Sequence, residues 1–323
     1  MTYDPLKAMI DAAGPYKKWA LAARKEYINL RMRQDLEIRQ VYIGAMDRVA
    51  DKLKKVKNSN DAARLKQLYQ QLEKETKLLA GDLTATVEQH IQAAVVAGSS
   101  YSQSVTTQLL KNSSIDATGV KEIFAKVNTK AVEACWARTH KGMRLSDRIW
   151  QQSEGFHKTI KTIVQESVTL GQSVTTTAKM LETYVREDAK TLTGQYPAMM
   201  ERMAGRIPGN ISYEAMRLAR TEGTAAFGEG TILGGQGSPS YGGVKWILSK
   251  SHPAFDICDT LAGVYPKGKE PHYPGHPNCL CILVPVHEDP KDFVNRLKRW
   301  EKNPASEPTL DDWYKNIYMR SAA

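Results

Sequence analysis

The sequence predicts an α+β protein: a predominantly helical N-terminal region with long antiparallel helices, and a small C-terminal β-containing unit with Cys/His-rich loops. Three observations carry this. Across the N-terminal third, apolar residues recur at three- and four-residue intervals, the signature of amphipathic helices. Near the other end, short β-type apolar runs, Val244 to Leu248 and Ile282 to Val286, bracket a stretch of prolines and glycines. That stretch also holds Cys258, Cys279 and Cys281, three of the four cysteines, and His252, His272 and His276, three of the seven histidines.

Gly14-Pro15 marks the start of a helix from Tyr16 to Lys57, since proline is tolerated in a first helical turn. Its stripe is Ile38, Val41, Tyr42, Ala45, Met46, Val49, Leu53 and Val56. Asn58-Ser59-Asn60 is a polar break. A second helix runs from Asp61 to about Ala97 on Leu65, Leu68, Leu72, Leu79, Leu83, Val87, Ile91 and Val95, and Gly98-Ser99-Ser100 is expected to end it. The short connection makes the pair an antiparallel hairpin, either an arm that docks on a partner or a bundle core. Tyr16, Trp19 and Tyr27 are interface anchors on the first reading and buried aromatics on the second.

Helices are expected next over Ser102 to Leu110 and Ala117 to Arg138, the latter with Cys135 as a buried structural thiol. Ser146 is read as the N-cap of a helix through Ile149, Trp150, Ile160, Ile163 and Val168. Gly171 stops it in a left-handed conformation and Ser173 caps the following helix. Residues Leu192 to Asn210 read as irregular with one short helix. Ile211 to about Ile232 is helical and carries Arg220-Thr221-Glu222, while Gly234 to Pro239 is expected to be a flexible turn. A helix through Phe293, Leu297 and Trp300 and a last short helix from Asp311 to Met319 close the chain. Four segments result: 1–100, a long helical hairpin or arm; 101–210, a helical region; 211–286, an end module of one helix plus a small antiparallel sheet; and 287–323, a helical tail.

The net charge of +10 and a pI near 9.3 favour polyanionic company such as DNA. The basic residues are dispersed, however, and no helix-turn-helix or zinc-finger reading module is apparent, so the expected contact is non-specific and salt-sensitive. No segment is long and apolar enough to span a bilayer, so no membrane insertion is predicted. The N-terminus lacks the pattern of a signal peptide, which points to a reducing cytoplasm.

Thiolates and neutral imidazoles are the preferred ligands of structural Zn²⁺, which takes four in a tetrahedron. Cys258, His276, Cys279 and Cys281 form the candidate set, with His252 and His272 as substitutes. In an extended chain Cys279 and Cys281 share one face. Three other readings fit the same residues: a disulfide from Cys258, plain burial of free thiols, and His276 and Asp256 hydrogen-bonding the loop backbone.

The order of these residues resembles the signature of the Mu F-like phage head morphogenesis proteins, the minor capsid proteins of tailed bacteriophages. The signature runs through Arg220-Thr221-Glu222, Lys245-Trp246, Asp256-Ile257-Cys258, Gly263-Val264-Tyr265-Pro266 and His276-Pro277-Asn278-Cys279-Leu280-Cys281. Leu145 to Trp150 and Gly171-Gln172-Ser173 resemble the segment that precedes it, so the likeness covers roughly Met143 to Val286. The loop between Gly263 and His276 is short for the family, and Leu280 stands where a basic residue is common. The resemblance implies a structural, non-enzymatic virion component, made in the host cytoplasm and placed in the capsid interior or near the portal. Its expected partners are portal and capsid proteins, with non-specific contact to phage DNA and a role in packaging or delivery. Arg220, Glu222, Trp246 and Asp256 are then structural residues. Two alternatives stand beside it. One is a group-transfer module in which Arg220 and Glu222 serve ADP-ribosyl transfer; the other is a free-standing DNA-binding protein.

Overall fold

The computed structural model describes residues 3–55, 61–111, 113, 115–252 and 255–322, and helices occupy 74% of the chain. The α-helices in chain order are α1 (Pro5–Ala13), α2 (Lys17–Lys54), α3 (Asp61–Lys111), α4 (Val120–Ala137), α5 (Leu145–Thr169), α6 (Val174–Glu187), α7 (Ala189–Gln195), α8 (Pro197–Arg202), α9 (Tyr213–Gln236), α10 (Ile257–Leu261), α11 (Pro290–Lys302), α12 (Pro308–Trp313) and α13 (Met319–Ala322). The strands are β1 (Thr139–His140), β2 (Met143–Arg144), β3 (Tyr241–Ile247), β4 (Gly263–Pro266) and β5 (Ile282–His287). The α+β expectation, mostly helix with a small antiparallel sheet near the C-terminus, is met. Val56, Lys57 and the polar break at 58–60 lie outside the described residues.

The chain forms two compact units. One comprises residues 1–32, 89–138 and 220–323, the other 33–88 and 139–219, so α2, α3 and α9 each contribute to both.

In the second unit α2 and α3 lie antiparallel. Glu75, with a fully buried side chain, takes the guanidinium of Arg48 at 2.8 Å and the ammonium of Lys52, while Arg48 also reaches Asp82 at 3.0 Å. Ile38, Tyr42, Met46 and Leu53 of α2 and Leu72, Leu79 and Leu83 of α3 are buried, as their periodicity requires. The Tyr42 ring meets Phe156 of α5 edge-on at 5.8 Å. α5 begins one residue before the expected cap: Leu145 is its first residue, and the Asp147 carboxylate accepts the Arg144 amide at 3.0 Å. An acidic side chain three positions into the helix satisfies the end from inside, so Ser146 is not needed as cap. Gly171 does stop the helix, at φ +64°, and Ser173 accepts the Thr176 amide at 3.1 Å to open α6.

In the first unit a three-stranded antiparallel sheet, ordered β4-β3-β5, divides two apolar clusters. Strand period two assigns the faces. Ile247, Ile282 and Val284 face a helical core built by Met9, Tyr101, Val105, Phe124, Phe293 and Trp313. Val244, Trp246 and Leu283 face the Cys/His loops.

Two helix ends expected from glycine are corrected. Gly98 does not end its helix, which continues to Lys111, and Gly234-Gly235 lie inside α9 rather than in a turn. A Cβ on Gly98 would stand 2.2 Å from the Phe227 carbonyl oxygen, one on Gly230 2.2 Å from that of Val95, and one on Gly234 2.8 Å from Ser99 Cα. These glycines let the backbones of α3 and α9 touch.

Candidate metal centre

Val244 and Trp246 of β3 and Leu283 of β5 pack in one buried cluster with Cys258, Cys279 and Cys281. Asp256 caps the short α10, accepting the Cys258 amide at 2.6 Å, and Asp259 accepts the Asp256 amide at 2.7 Å in return. This reciprocal cap fixes Cys258 at the helix start with its thiol turned inward, where it is fully buried. Cys279 and Cys281 lead into β5, two residues apart on one face, and both are buried in the same cluster as Cys258.

The Asn278–Cys281 segment is held by residues far away in sequence. Thr221 Oγ1 accepts the Asn278 amide at 3.3 Å. The Thr224 hydroxyl shares its proton between the carbonyls of Arg220 (2.9 Å) and Cys279 (3.3 Å), and accepts from the Tyr27 hydroxyl at 2.7 Å. Arg24 donates to the Leu280 carbonyl at 3.0 Å, and Tyr273 to that of Cys281 at 2.7 Å. Trp246, 1% exposed, packs edge-on against Tyr273 at 5.0 Å. Arg24, Tyr27, Thr224 and Tyr273 were not singled out as site residues by the sequence; helical spacing marks Tyr27 only as an aromatic that is either buried or an anchor, and it is fully buried.

The sulfurs of Cys258 and Cys279 are 3.6 Å apart, and that of Cys281 lies within 4.8 Å of Cys258. His252 joins Cys258 and Cys281, and His276 joins Cys258 and Cys279, with the donor atoms of each trio within 4.8 Å of one another. The described residues therefore include a Cys/His cluster able to hold a metal ion. His272 is exposed and belongs to neither trio. All four cysteines are free thiols, so the disulfide reading is not met in this structure.

The electrostatics of the three thiols are unequal. Burial pushes Cys258 up to about 12. The neighbouring Cys279 thiol holds Cys281 down, with a backbone bond from Ser249 adding to it, and the same coupling drives Cys279 upward. The Asp259 carboxylate, 2.8 Å from His252 Nε2, raises that imidazole. Thiols must give up their protons to bind a metal, so a cation entering this site would release protons.

Glu222 is 1% exposed and ion-paired to Arg138 at 2.5 Å. Cys135 is buried and its thiol is pushed up to about 12 by burial.

No protein-family model, curated protein or solved structure matches the chain. Among the described residues no helix is long and apolar enough to cross a membrane.

Proposed function

We propose that this chain is a minor capsid protein of a tailed phage, a structural virion component incorporated with the portal during head assembly. One observation supports the reading above others. The ordered motif residues, spread over some sixty positions of sequence, serve one module: Thr221 and Thr224 tether the cysteine loop, Trp246 and Cys258 pack with Cys279 and Cys281, and Asp256 caps the segment between. Motifs scattered by chance have no reason to meet in this way.

On this reading the module is a scaffold, and its Cys/His cluster is a structural zinc site that pins loops a small sheet cannot hold alone. The group-transfer alternative is disfavoured by Glu222, whose carboxylate is closed off from solvent and already committed to Arg138. A net charge of +10 suits non-specific contact with packaged DNA.

The test is co-expression with the portal and capsid genes neighbouring its own, followed by sedimentation. Migration with portal or heads is the expected result. A chain that stays free while portal and heads assemble normally overturns the reading.

A further inference from the structure

The histidine that completes the metal centre is chosen by a buried nitrogen without a partner. His252 has a side chain only 10% exposed. Its Nε2 is engaged by Asp259 Oδ2 at 2.8 Å, while its Nδ1 is sealed from solvent and has no hydrogen-bond partner. An imidazole nitrogen buried bare costs free energy unless something fills its lone pair. With Nε2 taken by carboxylate, the other metal-ligating groups beside this ring are the thiols of Cys258 and Cys281, within 4.8 Å of it. His276 is placed differently. Its Nδ1 donates to the Pro277 carbonyl at 2.8 Å, its Nε2 stands 3.3 Å from Asp256 Oδ2, and its side chain is 30% exposed. Both its nitrogens already face oxygen, so neither is orphaned.

Sulfur spacing points to the same ion. Two thiolates on one tetrahedral Zn²⁺, each about 2.3 Å from the metal, stand about 3.8 Å apart. Cys258 and Cys279 are at 3.6 Å, far outside the roughly 2.05 Å of a disulfide. Cys258 is the thiol both Cys/His trios share: its sulfur is 3.6 Å from that of Cys279 and within 4.8 Å of that of Cys281.

We infer that the centre is a Cys₃His zinc site whose ligands are Cys258, Cys279, Cys281 and Nδ1 of His252, with Asp259 holding the other imidazole nitrogen and His276 outside the coordination sphere. This replaces the histidine expected from the H-x-x-C-x-C spacing, and it rests on the zinc reading above. A carboxylate on the far nitrogen of a ligating histidine fixes its tautomer and orientation, so Asp259 is a positioning residue for the metal. The same carboxylate caps α10, which ties the geometry of Cys258 to that of His252 through one side chain.

The experiment is zinc content by native mass spectrometry on the full chain, together with the absorption spectrum after Co²⁺ replacement, for the parent and four variants. The parent should carry about one ion per chain, with the visible spectrum of a tetrahedral three-thiolate site. His252→Ala should lose the ion, and His276→Ala should keep both ion and spectrum. Asp259→Asn should weaken affinity about 10- to 100-fold. His252→Cys guards against a variant that merely misfolds: it should hold the ion with a spectrum shifted towards four thiolates, which a histidine of purely structural role would not produce. Loss of the ion in His276→Ala with retention in His252→Ala overturns the ligand assignment while leaving the zinc reading intact. A parent that holds no ion, with all three thiols open to alkylation, overturns the zinc reading itself.

Discussion

Cys258 sits in α10 and Cys279 on the approach to β5, yet their sulfurs lie 3.6 Å apart and both are closed to solvent. With little secondary structure between them, the α10 loop and the approach to β5 depend on what is held at that point. On the zinc reading, a chelator should lower the melting temperature. A loss of about 2 kcal/mol corresponds to roughly 3 °C in a chain of this length, so the shift should be at least of that order. Cys279→Ser should do the same without chelator. Thiol titration supplies the second readout: Cys258, Cys279 and Cys281 should become reactive on metal removal, while the buried Cys135 stays silent until the chain unfolds.

The Arg138–Glu222 pair makes a different prediction. Breaking a buried ion pair from one side leaves a charge without compensation and costs about 3–5 kcal/mol. Glu222→Ala should therefore shift the urea midpoint strongly, and Arg138→Ala by a comparable amount. The double variant should lose less than the sum, because each single change already removes the shared interaction. A Glu222→Gln protein that folds with parental stability would remove the structural role and reopen a chemical one.

Much of this fold was legible because helical periodicity is a local signal. Ile38, Tyr42, Met46 and Leu53 are buried where their spacing places them, and β3 and β5 cover the two apolar runs. Glycine was the recurrent source of error. Gly98 and Gly234 look like breakers in isolation, and only the partner backbone reveals them as contact points. The thiols of the site were legible from ligand chemistry, and two-residue spacing put Cys279 and Cys281 on one face. The choice between His252 and His276 was not, since it turns on an unpartnered nitrogen that no spacing rule reports. Nor were the tethers from Arg24 and Tyr27, which are 256 and 197 residues from the groups they bind.

The α3–α9 contact can be probed at Gly230. An added Cβ would meet the Val95 carbonyl oxygen at 2.2 Å and its carbon at 2.9 Å, and backbone atoms cannot rotate away as a side chain can. Alanine normally favours a helix by up to about 1 kcal/mol over glycine. Here Gly230→Ala should destabilise by roughly 1–3 kcal/mol or more, reversing the usual sign. Gly81→Ala on α3, where nothing lies within 4 Å of the new methyl, should be neutral or stabilising in the same denaturation assay.

His287 sets the acid limit of the first unit. Its Nδ1 meets Ser240 Oγ at 2.9 Å and its Nε2 meets Ser102 Oγ at 3.1 Å, with the rings of Tyr16, Tyr101 and Tyr241 around it. Burial lowers its pKa from 6.5 to about 3. The folded value lies below the unfolded one, so between them the unfolded chain binds a proton that the folded chain refuses. Stability from this residue is therefore complete above pH 6.5 and is lost as the pH falls towards 3, by up to about 1.4 kcal/mol per unit. His287→Gln keeps one amide to bridge the serines and cannot titrate. It should be less stable than the parent at pH 7, and the gap should narrow by about 2–3 kcal/mol at pH 4.5. Urea denaturation at the two pH values measures this directly, and a gap that stays constant would show that His287 is protonated in the folded chain as readily as in the unfolded one.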